Sequence, residues 1–208
     1  MDLKQIRKAS IRTAHQLGIQ IIPTLPLLSE SLGLRSVPEI ASRILTLNVV
    51  VATAYGFDRN KAIEWLNREG LVDNLTGDES PFILRGANTN DGRFRVEVEG
   101  LWTLAWTVGI VDKFSFVELC GDSLVRVLPN LSAKETGQSL RDKVRLRPLE
   151  QIVAACDLAY CLHWAIRHSE LVGTEPPKRI VPYVVIERRR ALEWLLGDEE
   201  WDEVALDT

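Results

Sequence analysis

The chain has 208 residues, of which 46% are hydrophobic and 26% are charged, a composition typical of a globular domain with a sizeable core. The net charge of −4 lacks the basic excess that binding to a phosphate backbone needs, so we predict no nucleic-acid partner. The three cysteines form no CxxC pair, which argues against a disulfide framework or a zinc site and favours a reducing compartment.

Membrane and export signals are weak in this sequence. Residues 1–23 lack the continuous apolar stretch of a signal peptide. The longest apolar stretch, residues 152–166, contains Asp157 and His163 and is too short to span a bilayer. We therefore predict a cytoplasmic protein without membrane contact.

Three helices are predicted in the first third of the chain. Apolar and basic residues alternate at helical spacing over residues 2–18. Ser36 and Glu39 have the spacing of a capping box and begin the second helix, which carries one apolar stripe. Asp58 is the predicted N-cap of the third helix, which ends at Gly70.

Two patterns compete in residues 82–99. Residues 94–99 alternate between apolar and polar side chains, and residues 90–92 (Asn-Asp-Gly) have the composition of a turn, which together indicate a short β-hairpin. Residues 101–108, however, continue with apolar side chains at helical spacing. We predict a helix over residues 94–110 and keep the hairpin as the alternative.

The second half of the chain is also predicted to be helical. The segments are residues 115–128, 133–142, 148–171 and 183–196, and Pro148 is a favourable first residue for the longest of them. The prediction is therefore one all-α domain over residues 1–208, with about eight helices. The acidic tail, residues 198–208, is predicted to pack on the body through Trp201.

A candidate site lies on the last two long helices. Asp157 falls in an apolar run, where an unpaired carboxylate is costly, so it needs a cation from another helix. The arginines available for this are Arg43, Arg188 and Arg190. Two carboxylates and a histidine are the groups of general acid–base catalysis, and the candidates are Asp157, His163 and Glu187, with Glu99 as a further carboxylate. The alternative, which we favour, is a buried hydrogen-bonded network that fixes how the helices pack.

Aromatic and basic side chains on the same helices and on the tail are candidate binding residues. They are Tyr160, Trp164, Arg167, Arg188, Arg190, Trp194 and Trp201. The sequence contains no HExxH motif, P-loop, GxGxxG fingerprint or GxSxG elbow. We therefore predict neither a metal nor a cofactor.

Several longer motifs are spread along the chain and together carry a resemblance. They are residues 34–41 with Arg43, residues 58–66, residues 99–109, residues 157–167, Pro176-Pro177, residues 185–195 and residues 201–208. Through them the chain resembles the bacterial family named domain of unknown function 4272. Members of the family often have histidine where this chain has Arg190 and asparagine where it has Glu193. The resemblance implies a bacterial cytoplasmic protein of helical fold, and it implies no particular activity.

The predicted function is that of a non-enzymatic binding or accessory protein, of an immunity or regulatory type, with a protein partner or self-association. This prediction depends on a charged and aromatic-rich helical core that carries no nucleophile or metal motif. One alternative is an uncharacterised hydrolase that uses the carboxylates and histidine named above. A further alternative is a structural homo-oligomer.

Overall fold

The computed structural model describes residues 1–29, 33–86 and 91–208. Within these ranges it contains nine α-helices and no strand. The helices are α1 (Leu3–Gln16), α2 (Val37–Ala54), α3 (Arg59–Glu69), α4 (Asp91–Val96), α5 (Val98–Thr107), α6 (Leu124–Val127), α7 (Gln138–Lys143), α8 (Leu149–Leu171) and α9 (Pro182–Leu196). Short 3₁₀ turns (Val72–Asn74 and Trp201–Glu203) and a π-turn (Pro81–Arg85) complete the regular structure.

The all-α prediction is confirmed, and the hairpin alternative at residues 82–99 is wrong. The described residues of this region form the π-turn and then α4 and α5, which meet at Glu97. Residues 87–90, which include the first residue of the predicted turn, lie outside the described residues. The alternating pattern was misleading because Glu97 and Glu99 are buried although they are charged. Polarity therefore does not follow exposure here, as it would in a half-buried strand.

The predicted helix at residues 115–128 is largely wrong, and the one at residues 133–142 is too long. Only α6 and α7 are regular in these regions. The segment before α6 uses its backbone groups elsewhere: the Glu118 carbonyl accepts from an arginine of α9, and the Cys120 N–H donates to a glutamate of α5. Long-range bonds thus replace the local bonds that a helix needs.

The helices pack in a continuous series around one core. α1 packs on α8, α8 on α9, α9 on α5, and α5 on α2, while α3, α4 and α7 surround α2. α2 begins at the predicted capping box, in which Ser36 Oγ accepts from Glu39 N–H and the Glu39 carboxylate accepts from Ser36 N–H. Its position in the series brings residues that are distant in sequence into one interior.

α2 is long and apolar enough to cross a membrane, judged by length and composition alone. It is the only such helix in the described parts of the chain. Its 18-residue window is 67% buried inside the protein, however, so its apolar side chains already have protein partners. A helix that is hydrophobic on most of its surface is expected at the centre of a helical core.

Candidate functional site

The carboxylate of Asp157 is paired with Arg7 of α1. Arg7 Nη2 lies 2.8 Å from Asp157 Oδ1, and Arg7 Nε donates to the same carboxylate at 3.1 Å. Arg7 also donates to the carbonyls of Leu25 and Pro26, at 2.8 Å each. Both charged side chains are buried, and the guanidinium links α8, α1 and the segment that follows α1. The prediction of a partner among Arg43, Arg188 and Arg190 is wrong, because the helix that packs on this part of α8 is α1.

The three arginines that we predicted as partners of Asp157 each contact a different carboxylate. The pairs are Arg43 with Glu79 (Nη1 to Oε2, 2.9 Å), Arg188 with Glu99 (Nη2 to Oε2, 2.6 Å) and Arg190 with Glu187 (Nε to Oε2, 3.4 Å). The first two pairs are buried on both sides. Glu79 also accepts from the Thr76 N–H in a capping arrangement whose spacing is visible in the sequence.

His163 contacts Arg189, another buried arginine. Its Nδ1 lies 2.8 Å from Arg189 Nη1, and Arg189 also donates to the carbonyls of Leu206 and Asp207 in the tail. The pKa of His163 is lowered to about 4, mainly by burial and also by the positive charges of Arg189 and Arg167. The imidazole is therefore neutral near pH 7 and accepts a hydrogen bond from Arg189.

The four catalytic candidates thus do not form one acid–base set. Asp157, Glu99, Glu187 and His163 are each engaged with a different arginine. A general base must reach the proton that it removes, and a histidine with a pKa near 4 is a weak base at neutral pH. This arrangement matches a network that fixes helix packing better than it matches an active site.

The neutral state of His163 makes stability depend on acidity. Between pH 6.5 and pH 4 the unfolded chain binds a proton on this histidine that the folded protein does not bind, so stability falls as the pH falls. We expect His163→Asn to remove roughly 2 kcal/mol of this loss between pH 7 and pH 4.5. Urea unfolding at a series of pH values measures it, with His168→Asn, exposed on the same helix, as control. If the free energy of unfolding falls equally at low pH in His163→Asn and in the wild type, the neutral state of the buried His163 is contradicted.

The predicted binding residues mostly contact other parts of the protein. The Tyr160 ring contacts two guanidinium groups, those of Arg7 and Arg189, with distances of 5.5 and 4.9 Å to the ring centroid. The remaining contacts are Trp164 stacked on His168, Trp194 on Arg35, Trp201 on Arg43 and Arg188 on Trp102. Arg167 is exposed and pairs with Glu170 one turn along α8. These aromatic and basic groups therefore serve mainly as partners of one another.

An open cavity of about 680 Å³ lies elsewhere, between α2, α5 and α6. Most of its wall is apolar and includes Val51, Val98, Leu101, Leu124 and Leu128. The polar or charged residues that line it are Asn48, Tyr55, Asp58, Lys61, Cys120, Asp122 and Ser132. This volume is within the range of ligand sites in proteins, which are mainly apolar with a few polar groups. The cavity was not predicted, because ordinary apolar residues from separate segments form it and no sequence motif marks them.

Cys120 is the only cysteine in the wall of this cavity. Its backbone N–H donates to Glu99 Oε1 at 2.9 Å, and the other oxygen of Glu99 accepts from Arg188. The pKa of the Cys120 thiol is raised to about 12, mainly by burial and also by the negative charge of Glu99. Because the thiolate is the reactive form, Cys120 is not an activated nucleophile. The described residues also contain no group of three or more His, Cys, Asp or Glu that could hold a metal ion.

Comparison with known proteins agrees with the sequence motifs. A family model described as Domain of unknown function (DUF4272) matches residues 7–204, nearly the whole chain. Searches of curated proteins and of solved structures found no match. The resemblance drawn from the motifs is thereby confirmed.

Proposed function

This chain belongs to the DUF4272 family of domains of unknown function, and we propose that it is a non-enzymatic binding protein whose partner occupies the cavity beside Cys120. The observation that carries this proposal is the cavity itself, which offers apolar surface and a thiol that stays protonated. The acid–base candidates are meanwhile engaged in buried pairs. The hydrolase alternative has less support, because its four candidate groups contact four different arginines.

The rim of the cavity favours a protein partner over a small molecule. Val125 and Tyr55 line the cavity, yet their side chains are 72% and 64% exposed. A small ligand inside the cavity would leave this apolar surface in water. A protein that inserts one apolar side chain would cover the rim as well. We propose that the partner is such a protein.

The proposal includes a location in the bacterial cytoplasm. All three cysteines are free thiols, and two of them, Cys156 and Cys161, are buried. Free thiols persist in reducing compartments, which supports the cytoplasm. The bacterial origin is supported by the resemblance described above.

Crosslinking in the native cell tests this function. A photoreactive amino acid at Val125 is expected to give a discrete adduct with one protein, because Val125 lies at the rim of the cavity. The same amino acid at Leu171, which is 80% exposed at the end of α8, is the matched control and is expected to give none.

The link to the cavity is tested by filling it. Ala52 lines the cavity, so Ala52→Trp is expected to abolish the Val125 adduct, while Ala9→Trp in a separate apolar groove is expected to retain it. Circular dichroism checks that both variants are folded. An adduct that survives Ala52→Trp would contradict the proposal. An adduct twice the mass of the chain would favour the homo-oligomer, and the absence of any adduct would favour a small ligand.

A further inference from the structure

Glu97, at the junction of α4 and α5, is a buried carboxyl group outside the cavity. Glu97 is 4% exposed, and its Oε2 has no hydrogen-bond partner among the described residues. Four charged residues from four different segments of the chain act on this carboxyl group. They are Arg43 of α2, Glu79 before the π-turn, Arg93 of α4 and Glu187 of α9. We call Glu97 and these four residues the Glu97 cluster.

The cations of the Glu97 cluster are already engaged. Both terminal nitrogens of Arg43 donate to Glu79, and the Nε of Arg43 has no partner in the described structure. Arg93, at the outer edge, contacts Asp78 and Asp202. In an ionised state Glu97 would therefore compete for cations whose charge is already paired with other carboxylates.

The C-terminal segment, residues 198–208, covers this cluster. The ring of Trp201 lies 4.5 Å from the Arg43 guanidinium, and a Cβ on Gly100 would come within 3.2 Å of that ring. Asp202 accepts from the Asp78 N–H at 3.0 Å and lies 3.6 Å from Arg93. The indole N–H of Trp201 has no hydrogen-bond partner among the described residues. The segment thus closes a buried region that holds several unsatisfied polar atoms.

We propose that the protonated Glu97 carboxyl keeps the C-terminal segment against the body, and that loss of its proton loosens the segment. An ionised Glu97 requires either water or a cation. Water reaches it when Trp201 moves away, and the available cation at the edge is Arg93, which must leave Asp202 to approach. Both responses remove contacts that hold the segment.

Glu97 is expected to lose its proton close to neutral pH. The pKa of Glu97 is raised to about 8, mainly by burial and also by the negative charges of Glu79 and Glu187, with Arg43 and Arg93 acting in the opposite direction. Between pH 4.5 and pH 8 the folded protein keeps a proton that the unfolded chain has lost, so stability falls as the pH rises through this range. The segment is therefore expected to be held most firmly in mild acid and to open increasingly as the pH rises towards 8.

Hydrogen exchange of the full chain, followed by mass spectrometry, tests this inference. The readout is the protection factor of residues 198–208, which corrects the observed rate for the intrinsic pH dependence of exchange. We expect it to fall at least tenfold between pH 6 and pH 7.5 in the wild type and to level off above pH 8. In Glu97→Gln, where no proton can be lost, it is expected to stay constant. Glu64→Gln, an exposed position on α3, is the matched control and is expected to keep the wild-type trend.

Two results would overturn the inference: a protection factor in the wild type that does not change with pH, or an equal fall in Glu97→Gln. A second measurement needs only the wild type and so does not depend on folding of the variant. The ¹³C carboxyl signal of Glu97 and the indole N–H signal of Trp201 should titrate together with a midpoint near the pKa of about 8. Different midpoints for the two signals would also overturn it.

Discussion

Arg188→Met is expected to lower the free energy of unfolding by about 3–5 kcal/mol, because it leaves the Glu99 carboxylate buried without its cation. Arg188 is 0% exposed and Glu99 is 2% exposed, and the Arg188 guanidinium also lies over the Trp102 ring. The change additionally removes the donor to the Glu118 carbonyl. Urea unfolding at neutral pH measures the loss.

The double variant Arg188→Met/Glu99→Gln separates the charge from the packing. It is expected to recover a large part of the lost stability, because neither buried charge remains. Since the Cys120 N–H donates to Glu99, the single variant should also expose the thiol, and its labelling rate should rise more than in the double variant. Wild-type stability in Arg188→Met would contradict the buried pair, and an unchanged labelling rate would contradict the link from Glu99 to the cavity.

Arg7→Met is expected to have an effect of similar size, about 3–5 kcal/mol, since Asp157 then stays buried and unpaired. Arg7 also donates to the Leu25 and Pro26 carbonyls, so the variant leaves two backbone acceptors without their donor. Hydrogen exchange should show that α1 and the segment up to Pro26 lose protection before the rest of the protein. Arg12→Met, exposed on the same helix, is the matched control.

The Arg7 pair differs from the Arg188 pair in one testable respect. The double variant Arg7→Met/Asp157→Asn removes the uncompensated charge but leaves the two carbonyls unsatisfied. It is therefore expected to recover a smaller fraction of the lost stability than the double variant of Arg188 and Glu99. Full recovery would show that the two carbonyl bonds contribute little.

Local patterns in the sequence were sufficient to locate most of the helices. The capping box at Ser36 and Glu39 is present, Asp58 caps α3 by accepting from the Lys61 N–H, and Gly70 ends α3 with a positive φ of 68°. These signals act within one turn of helix, so they can be recognised without the rest of the protein. The same is true of the apolar periodicity of α8 and α9.

The candidate site was only partly predictable, because its contacts extend well beyond one turn of helix. The sequence marked Asp157, His163, Glu99 and Glu187 as charged or polar residues in apolar surroundings, and the structure buries all four. It did not identify their partners. The buried Glu97 was missed altogether, because its neighbours in sequence alternate in polarity as those of an exposed residue do.

Helix positions and the need for buried partners were thus determined by the sequence itself, through spacing and the cost of burying charge. Which cation meets which carboxylate was decided only by the tertiary structure. Arg7 and Asp157 are 150 residues apart, and Arg188 and Glu99 are 89 apart. Such pairs form when α1 packs on α8 and α9 packs on α5, and the cavity beside Cys120 forms from segments brought together in the same way. Packing of whole helices sets these contacts, and no local pattern encodes that packing.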